Sequence, residues 1–293
     1  MEINLGKIAF DVDFHPSDNL VATALISGDL HLYRFSPDIA PVRQWEVHAH
    51  RDSCRAARFI DCGRVLLTAS SDCSILATDV ETGSTITRIH NAHKAAVNRL
   101  INLTESTVAS GDDGGFIKVW DTRTRSCCNY FNAHENYISD MTFASGEMKL
   151  LTTSGDGTLC VCNLRTNTNG RKILCGSQSI LILYSWKGFK DISEFRLGMD
   201  MNSPVDAMLK LDEDRIITGS ENGIINLVGI SPNFILPIAE HRGYPVQCLA
   251  FSHNRKFLGS IACDEMLKLW DLDSILPDTR NTQREPCAPM GFG

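Results

Sequence analysis

The sequence predicts an all-β protein of the β-propeller class, with a seven-blade pattern in which the fifth blade is incomplete. A strand-like motif recurs seven times, and most recurrences lie 42 to 45 residues apart. No stretch of useful length shows the 3.6-residue period of an amphipathic helix. With 293 residues, 43% of them hydrophobic, the chain can fold as one large all-β domain with a sizeable core.

The recurring motif is a run of alternating apolar residues that leads into one defined position, here called the slot. In "FIKVWDT" the slot holds Trp120. A unit of this length accommodates about four short strands, which is the content of one propeller blade. The seven slot residues are Tyr33, Thr78, Trp120, Cys162, Tyr184, Val228 and Trp270, and only the third and the last belong to a full Trp-Asp pair.

The interval between the slots Cys162 and Tyr184 is only 22 residues long. Within it, "RKILCGS" is interpreted as the second strand of a unit and "ILILYS" as its third strand. About 20 residues are therefore missing, enough for the outer strand of the fourth blade and the inner strand of the fifth. Because a closed ring cannot lose an inner strand without exposing a sheet edge, the hypothesis is a variant or shortened gene model of a seven-blade protein.

The two ends of the chain have different expected roles. Residues 1–275 are predicted to form the propeller, and the N-terminal "MEINL" is expected to supply the outer strand of the last blade. Residues 276–293 are polar and contain prolines, so a disordered tail is predicted there. The N-terminus has no signal-peptide features and the apolar runs are too short to cross a bilayer, so no membrane association is expected.

Charge and composition argue against several classes of function. The net charge of −7 disfavours a basic nucleic-acid binder, and no sequence-specific nucleic-acid contact is expected, although a local basic patch remains possible. Eleven scattered cysteines fit a reducing nuclear or cytosolic compartment. No phosphate-binding loop or nucleophile elbow is found, so no catalytic residue and no cofactor is predicted. Cys160 and Cys162 could suggest a metal site, but the second occupies a slot and core packing is favoured.

Histidines recur with the same period as the slots. In three units a His precedes an Asp by 22 or 23 residues, and the slot follows that Asp by six residues. These pairs are His50 with Asp72, His134 with Asp156, and His241 with Asp264. The last unit also offers Ser260 on a strand and Trp270 in the slot.

The repeat length, the Trp-Asp pairs and the histidines together resemble the WD40 family over residues 1–275. This resemblance implies that His, a strand Ser or Thr, a turn Asp and the Trp indole form a buried hydrogen-bonded tetrad. The complete set would be His241, Ser260, Asp264 and Trp270, with partial sets at His50 and His134. It implies a structural role for these histidines rather than a catalytic or metal-binding one.

The stretch "WDTR" suggests a function within that family. Related WD40 proteins with a W-D-x-R box are substrate receptors that dock on the damaged-DNA-binding protein 1 adaptor of cullin-4 ubiquitin ligases. Trp120, Asp121 and Arg123 match the box, so the resemblance implies an adaptor-binding site there. The competing interpretation is that Arg123 only forms a salt bridge within its own blade, since residues two apart on a strand share a side.

A second functional hypothesis comes from a eukaryotic branch of the family that the stretch "LYSWKGFKD" resembles. Membership of that branch implies a nuclear, often nucleolar, scaffold in ribosomal RNA synthesis and processing, with a role in development. The expected localisation is therefore the nucleus and nucleolus, and also the cytoplasm. Both hypotheses describe a non-enzymatic protein-interaction scaffold.

Overall fold

The computed structural model describes residues 1–164, 172–177, 180–185, 192–195, 203–230 and 234–276. Within these ranges the chain is built almost entirely of antiparallel strands, joined by short turns. The predicted disordered tail lies outside the described residues from residue 277 onward. None of the helices in the described ranges has the length and apolar character needed to span a bilayer.

The first three blades are four-stranded antiparallel meanders that follow the N-terminal strand β1 (Glu2–Asn4). The first blade consists of β2 (Ala9–Phe14), β3 (Leu20–Leu25), β4 (Asp29–Ser36) and β5 (Ile39–His48). The second consists of β6 (Cys54–Ile60), β7 (Val65–Ser70), β8 (Ile75–Asp79) and β9 (Thr85–Ile89). The third consists of β10 (Val97–Thr104), β11 (Thr107–Asp112), β12 (Phe116–Asp121) and β13 (Ser126–Asn132).

The remaining sheets are less regular. Among the described residues, the fourth blade has three strands, β14 (Ile138–Ala144), β15 (Lys149–Ser154) and β16 (Leu159–Asn163). A further three-stranded sheet contains β17 (Lys172–Ser177), β18 (Ile180–Ser185) and β19 (Ile192–Phe195). A four-stranded blade follows with β20 (Val205–Lys210), β21 (Arg215–Ser220), β22 (Ile224–Gly229) and β23 (Phe234–Glu240).

The last blade is completed by the N-terminus. Its strands are β24 (Val246–Phe251), β25 (Phe257–Ala262), β26 (Met266–Asp271) and, as the outer strand, β1; the short helix α1 (Leu272–Ile275) follows β26. In the pairing of β1 with β26, Ile3 lies opposite Leu267. The first strand of the chain therefore joins the last blade, so the two ends of the propeller are held together by a β ladder.

The inner strands contact one another in the succession β20, β24, β2, β6, β10 and β14. The all-β propeller predicted from the repeat period is thus confirmed, as a propeller arrangement of six blades. The antiparallel sheet β17–β19 lies beside the inner strand β20.

The core lies between neighbouring blades rather than within one sheet. One apolar cluster, for example, joins Leu20 and Leu30 of the first blade to Ala57 and Leu66 of the second. Such packing requires the strands inside a blade to bury side chains on both faces, which explains the continuous burial of β3, whereas an outer strand such as β13 is mostly exposed. The slot residue of each blade packs against an aliphatic neighbour, as when Trp120 lies opposite Val108.

All six inner strands share one irregularity near their start. The strand partners shift by one residue there, which marks a β-bulge. The residues at the bulges are Phe10, Arg55, Asn98, Ser139, Asp206 and Gln247. These residues share no chemical character. The bulge therefore recurs in the backbone of all six inner strands, although no residue type recurs at the bulged position.

Candidate interaction site

The third and last blades contain complete hydrogen-bonded tetrads. In the last blade, His241 lies 2.8 Å from Asp264 through Nδ1 and 2.7 Å from Ser260 through Nε2. The indole Nε1 of Trp270 donates to the same Ser260 hydroxyl over 2.8 Å. The structure therefore brings together all four residues that the sequence pattern assigned to this set.

The third blade has a complete tetrad that the His-to-Asp spacing did not reveal. His93 lies 2.7 Å from Asp112 and 2.6 Å from Ser110, and Trp120 donates to Ser110 over 2.7 Å. Here the His precedes the Asp by 19 residues because Asp112 is the last residue of β11 rather than part of the following turn. The separation of His93 from Ser110 is 17 residues, close to the 18 residues between His134 and Thr152, and this spacing could have identified the set.

The donors and acceptors of the tetrad in the last blade match a neutral histidine. A tryptophan indole can only donate and an ionised aspartate can only accept, so the serine oxygen accepts from the indole and Nδ1 donates to the carboxylate. In the neutral imidazole, Nε2 accepts the serine hydroxyl proton. Burial lowers the pKa of His241, in agreement with that neutral form. Every polar atom in the network is satisfied, which gives a rigid structural element.

The second and fourth blades hold partial networks. His50 contacts Asp72 at 3.2 Å and Thr68 at 2.9 Å, while His134 contacts Asp156 at 3.2 Å and Thr152 at 2.9 Å. Neither blade has a tryptophan, because their slots hold Thr78 and Cys162. In the second blade, the guanidinium of Arg88 from the outer strand bonds to Ser74 Oγ at 3.0 Å and to the carbonyl of Ala49. Burial is the main cause that lowers the pKa of His50 to about 4. The charge of Arg88 also lowers this pKa, whereas the charge of Asp72 raises it.

Blades without a full tetrad leave buried hydroxyl groups unpaired. Among the described residues, the Oγ1 atoms of Thr23, Thr78 and Thr218 are buried without a hydrogen-bond partner. Thr23 and Thr218 occupy, in the first and the β20–β23 blades, the strand position of Ser110 and Ser260. Thr78 occupies a slot. The unpaired hydroxyls therefore mark the places where a tetrad partner is absent.

Each tetrad histidine also bridges two blades. The backbone N–H of His134 donates to the carbonyl of Gly115 in the third blade, while its side chain bonds in the fourth. Gly115 has a φ of +80°, and a Cβ there would come within 2.2 Å of the His134 carbonyl oxygen. Only glycine fits this turn. His50 relates to Gly28 and His241 to Gly223 in the same way.

Two of the predicted adaptor-binding residues, Asp121 and Arg123, lie at the end of the third blade away from the turn that carries Asp112. Because β11 and β12 are antiparallel, the turn at Asp112 lies at one end of the blade and Asp121 at the other. Trp120 is buried in the tetrad and is not available to a partner. Asp121 accepts backbone N–H groups from Arg123 at 2.8 Å and Thr124 at 3.2 Å, so it caps the turn into β13.

The capping role of Asp121 recurs elsewhere in the propeller. Asp79 accepts from the backbone of Thr82 at 2.8 Å, and Asp271 accepts from the backbone of Asp273 at 3.0 Å. In these three units the Asp after the slot therefore shapes the connection that follows the third strand. The presence of this aspartate is therefore explained without binding of a partner protein.

Arg123 is not explained by the repeat. Its guanidinium approaches Asp121, with 3.1 Å from Nη2 to Oδ2, and 75% of its side chain is exposed. This hydrogen bond from Arg123 is the main cause that lowers the pKa of Asp121 to about 2. An ion pair so exposed contributes little to stability. The predicted salt bridge within the blade therefore exists, and it holds an exposed guanidinium fork at the surface of this end of the propeller.

The two cysteines that suggested a metal site have the packing expected of core residues. Cys162 is buried in the apolar cluster between the third and fourth blades, and Cys160 packs against the same cluster. Burial raises the pKa of the Cys162 thiol to about 12. Both thiols therefore pack as small apolar side chains.

Comparison with known proteins agrees with this architecture. The family model "WD domain, G-beta repeat" matches residues 84–121, 125–163 and 233–271. Each match contains one histidine network and ends one residue after its slot, those of His93, His134 and His241.

The chain is similar to whole proteins as well as to the repeat. It is 59% identical to "WD repeat-containing protein 55" of Arabidopsis thaliana, over 94% of this chain and 84% of that protein. It is 34% identical to the Homo sapiens protein of the same name, over 92% and 76% of the two chains. It is 29% identical to "WD repeat-containing protein JIP5" of Cryptococcus neoformans, over 92% and 81%. The chain therefore belongs to the WD repeat-containing protein 55 family of WD40 proteins.

Proposed function

We propose that this protein is a non-enzymatic interaction scaffold that acts as a substrate receptor of a cullin-4 ubiquitin ligase. The ligase adaptor, damaged-DNA-binding protein 1, would dock on the end of the propeller that carries Arg123. The observation that supports this most is the exposed guanidinium of Arg123, held by Asp121 in a turn whose shape does not require it. Arginine presents a planar fork of donors that suits carboxylates and backbone carbonyls of a partner.

The rest of the W-D-x-R box supports docking indirectly. Trp120 anchors the strand through Ser110, and Asp121 fixes the turn, so Arg123 leaves the blade in a defined direction. A preorganised side chain loses less conformational entropy on binding than a free one. The substrate would then bind at the opposite end of the blade, where the turn with Asp112 lies.

Co-purification of the adaptor with tagged protein from cells tests this function. We expect Arg123→Ala to lose the adaptor and Arg125→Ala, two residues further along the same turn, to retain it. Both variants should have the thermal stability of the wild type, because both side chains are exposed. An adaptor band of equal intensity for the two variants would reject docking at Arg123.

The second candidate function is a nucleolar scaffold in ribosomal RNA synthesis and processing, with the protein in the nucleus, the nucleolus and also the cytoplasm. Membership of the family supports it, because this family is the branch that the stretch "LYSWKGFKD" resembles. Depletion should then cause ribosomal RNA precursors to accumulate. Normal precursor levels after depletion would count against this function.

We also infer that the chain is a shortened form of a seven-blade propeller. The alignment with the Arabidopsis protein covers 297 positions, whereas 94% of 293 residues is about 275, so about 22 positions have no residue in this chain. The interval 164–171 between β16 and β17 has eight residues, while 16 or 17 residues separate the third strand of four other blades from the next inner strand. The sheet β17–β19 would be the remainder of the fifth blade, because the slot residue Tyr184 pairs with Ile173 as Trp120 pairs with Val108.

A further inference from the structure

The fourth blade presents a sheet edge that the other blades cover. Its third strand, β16, pairs with β15 on one side, and no strand of the described residues pairs with its other side. The third strands β4, β8, β12, β22 and β26 each have an outer partner. An edge of this kind is a ready template for an additional strand.

Two apolar side chains of β16 are less buried than the equivalent side chains of the other blades. In the five other blades, the residues three and one positions before the slot are apolar and fully buried. They are Leu30 and Leu32, Ile75 and Ala77, Ile117 and Val119, Ile225 and Leu227, and Leu267 and Leu269. The equivalent residues of the fourth blade, Leu159 and Val161, are only half-buried. Two apolar side chains therefore remain partly exposed beside an open backbone edge.

The other blades also define what would cover this edge. The residue opposite the position three before the slot is apolar in every outer strand. These residues are Val47, Ile89, Phe131, Ala239 and Ile3. The last of them belongs to β1, which reaches the last blade from the far end of the chain. The fold thus already accepts an outer strand that is not continuous with the blade it completes.

We propose that β16 binds an extended segment of a partner protein, which adds to the fourth blade as an antiparallel outer strand. Such a segment carries an apolar residue opposite Leu159 and an apolar or neutral residue two positions earlier, opposite Val161. Its affinity comes from backbone hydrogen bonds to β16 and from burial of these two side chains.

The occupant that we infer is a separate protein, because no described segment of this chain is placed to cover the edge. The eight residues 164–171 are too few for a turn, an outer strand and the return to β17, and β1 is already paired with β26. A second copy fits less well, because a full-length antiparallel pair of β16 strands would place Asn163 opposite Leu159. An apolar residue stands there in the five other blades.

Fluorescence anisotropy with a labelled synthetic peptide tests the proposal. The probe carries the sequence of residues 42–48, "VRQWEVH", which is part of the outer strand β5 and holds Trp45 and Val47 in the required register. The full-length protein should bind this peptide saturably. A control peptide with aspartate at the position of Val47 should bind at least about tenfold more weakly. No saturable binding, or equal binding of the two peptides, would overturn the proposal.

Protein variants locate the binding at β16. Leu159→Asp should abolish peptide binding, while Tyr130→Asp, on the exposed outer strand β13, should leave it unchanged. If Leu159→Asp does not fold, hydrogen exchange of the wild type decides: the peptide should slow exchange in β16 and not in β13. Retained binding by folded Leu159→Asp protein, or unchanged exchange in β16, would contradict the assignment.

Light scattering separates a partner segment from a second copy. We expect a monomer at micromolar concentration. A dimer that Leu159→Asp dissociates would assign the edge to a second copy and overturn the proposal. Because Arg123 lies in another blade, failure of adaptor docking would leave the peptide result unaffected, and the two proposals fail separately.

Discussion

The indole Nε1 of Trp120 donates to the hydroxyl of Ser110 over 2.7 Å, at the centre of a tetrad that fixes the third blade. The tryptophan of the Trp-Asp motif thus forms its hydrogen bond inside the blade and not with a partner. The residue with no role in this network is the arginine that follows, and it is therefore the best candidate for recognition.

The hydroxyl of Ser110 serves two buried partners, so Ser110→Ala should be strongly destabilising. The substitution leaves Nε2 of His93 and the indole N–H of Trp120 without a hydrogen-bond partner, while Nδ1 of His93 keeps its bond to Asp112. We expect the free energy of unfolding in urea to fall by about 2–4 kcal/mol. The exposed Ser145→Ala should change it by less than about 0.5 kcal/mol. A loss below about 1 kcal/mol for Ser110→Ala would show that the tetrad is not a major source of stability.

Thr152 and Thr218 offer a matched pair of buried hydroxyls. Thr152 Oγ1 lies 2.9 Å from His134 Nε2, whereas Thr218 Oγ1 has no partner among the described residues. Thr152→Val should lower the free energy of unfolding by about 1–3 kcal/mol, because it leaves a buried imidazole nitrogen unpaired. Thr218→Val should leave that free energy unchanged or raise it. Equal losses for the two variants in urea unfolding would contradict this assignment of partners.

The neutral histidines predict a loss of stability in mild acid. Burial lowers the pKa of His50 to about 4 in the folded protein, from about 6.5 in the unfolded chain. As pH falls from about 6.5 to 4, the unfolded chain therefore binds a proton that the folded protein does not, and stability decreases by an amount on the order of 2–3 kcal/mol. Burial raises the pKa of Asp13 to about 6, which has the opposite effect, since its contribution is lost as pH rises from about 4 to 6.

A comparison of variants isolates the histidine contribution. We expect the free energy of unfolding of His50→Gln, measured between pH 4 and 7, to depend less on pH than that of the wild type. His253→Asn, at an exposed site, should keep the pH dependence of the wild type. Parallel profiles for the wild type and His50→Gln would show that His50 is not held neutral by the fold.

Restoring the missing segment should stabilise the chain. We expect a chain with the roughly 22 additional residues of the Arabidopsis relative, placed between Asn163 and Lys172, to melt at a higher temperature. Hydrogen exchange in β16 should become slower, because an outer strand now covers Leu159 and Val161. A Gly/Ser insertion of equal length forms no strand and is the control. Equal melting temperatures for the two insertions would contradict the shortened-propeller hypothesis.

The repeat was the most informative part of the sequence. The slot period predicts an all-β propeller, which is confirmed, and its one short interval coincides with the end of the three-stranded sheet β14–β16. The tetrad at His93 escaped because its carboxylate comes from the end of β11, which alters the spacing to His93 and to Trp120. A rule based on one fixed spacing from His to Asp misses a tetrad whose aspartate lies at the end of a strand instead of in the following turn.

Other features could not be predicted from residue types. The inner-strand bulges carry residues as different as Phe10 and Asp206, so the sequence does not mark them. In the second blade, a guanidinium from the outer strand joins the histidine network, because Arg88 donates to Ser74. Such contacts depend on which side chains meet in three dimensions, and a linear pattern does not contain that information.

The central claim is that Arg123 is the recognition residue, and a binding titration between purified proteins tests it most directly. Immobilised wild-type protein should bind the purified adaptor, and Arg123→Ala should weaken that binding at least about tenfold, the loss expected of a hot-spot arginine. Arg125→Ala should bind like the wild type. Equal dissociation constants for wild type and Arg123→Ala, with both proteins folded, would contradict the account.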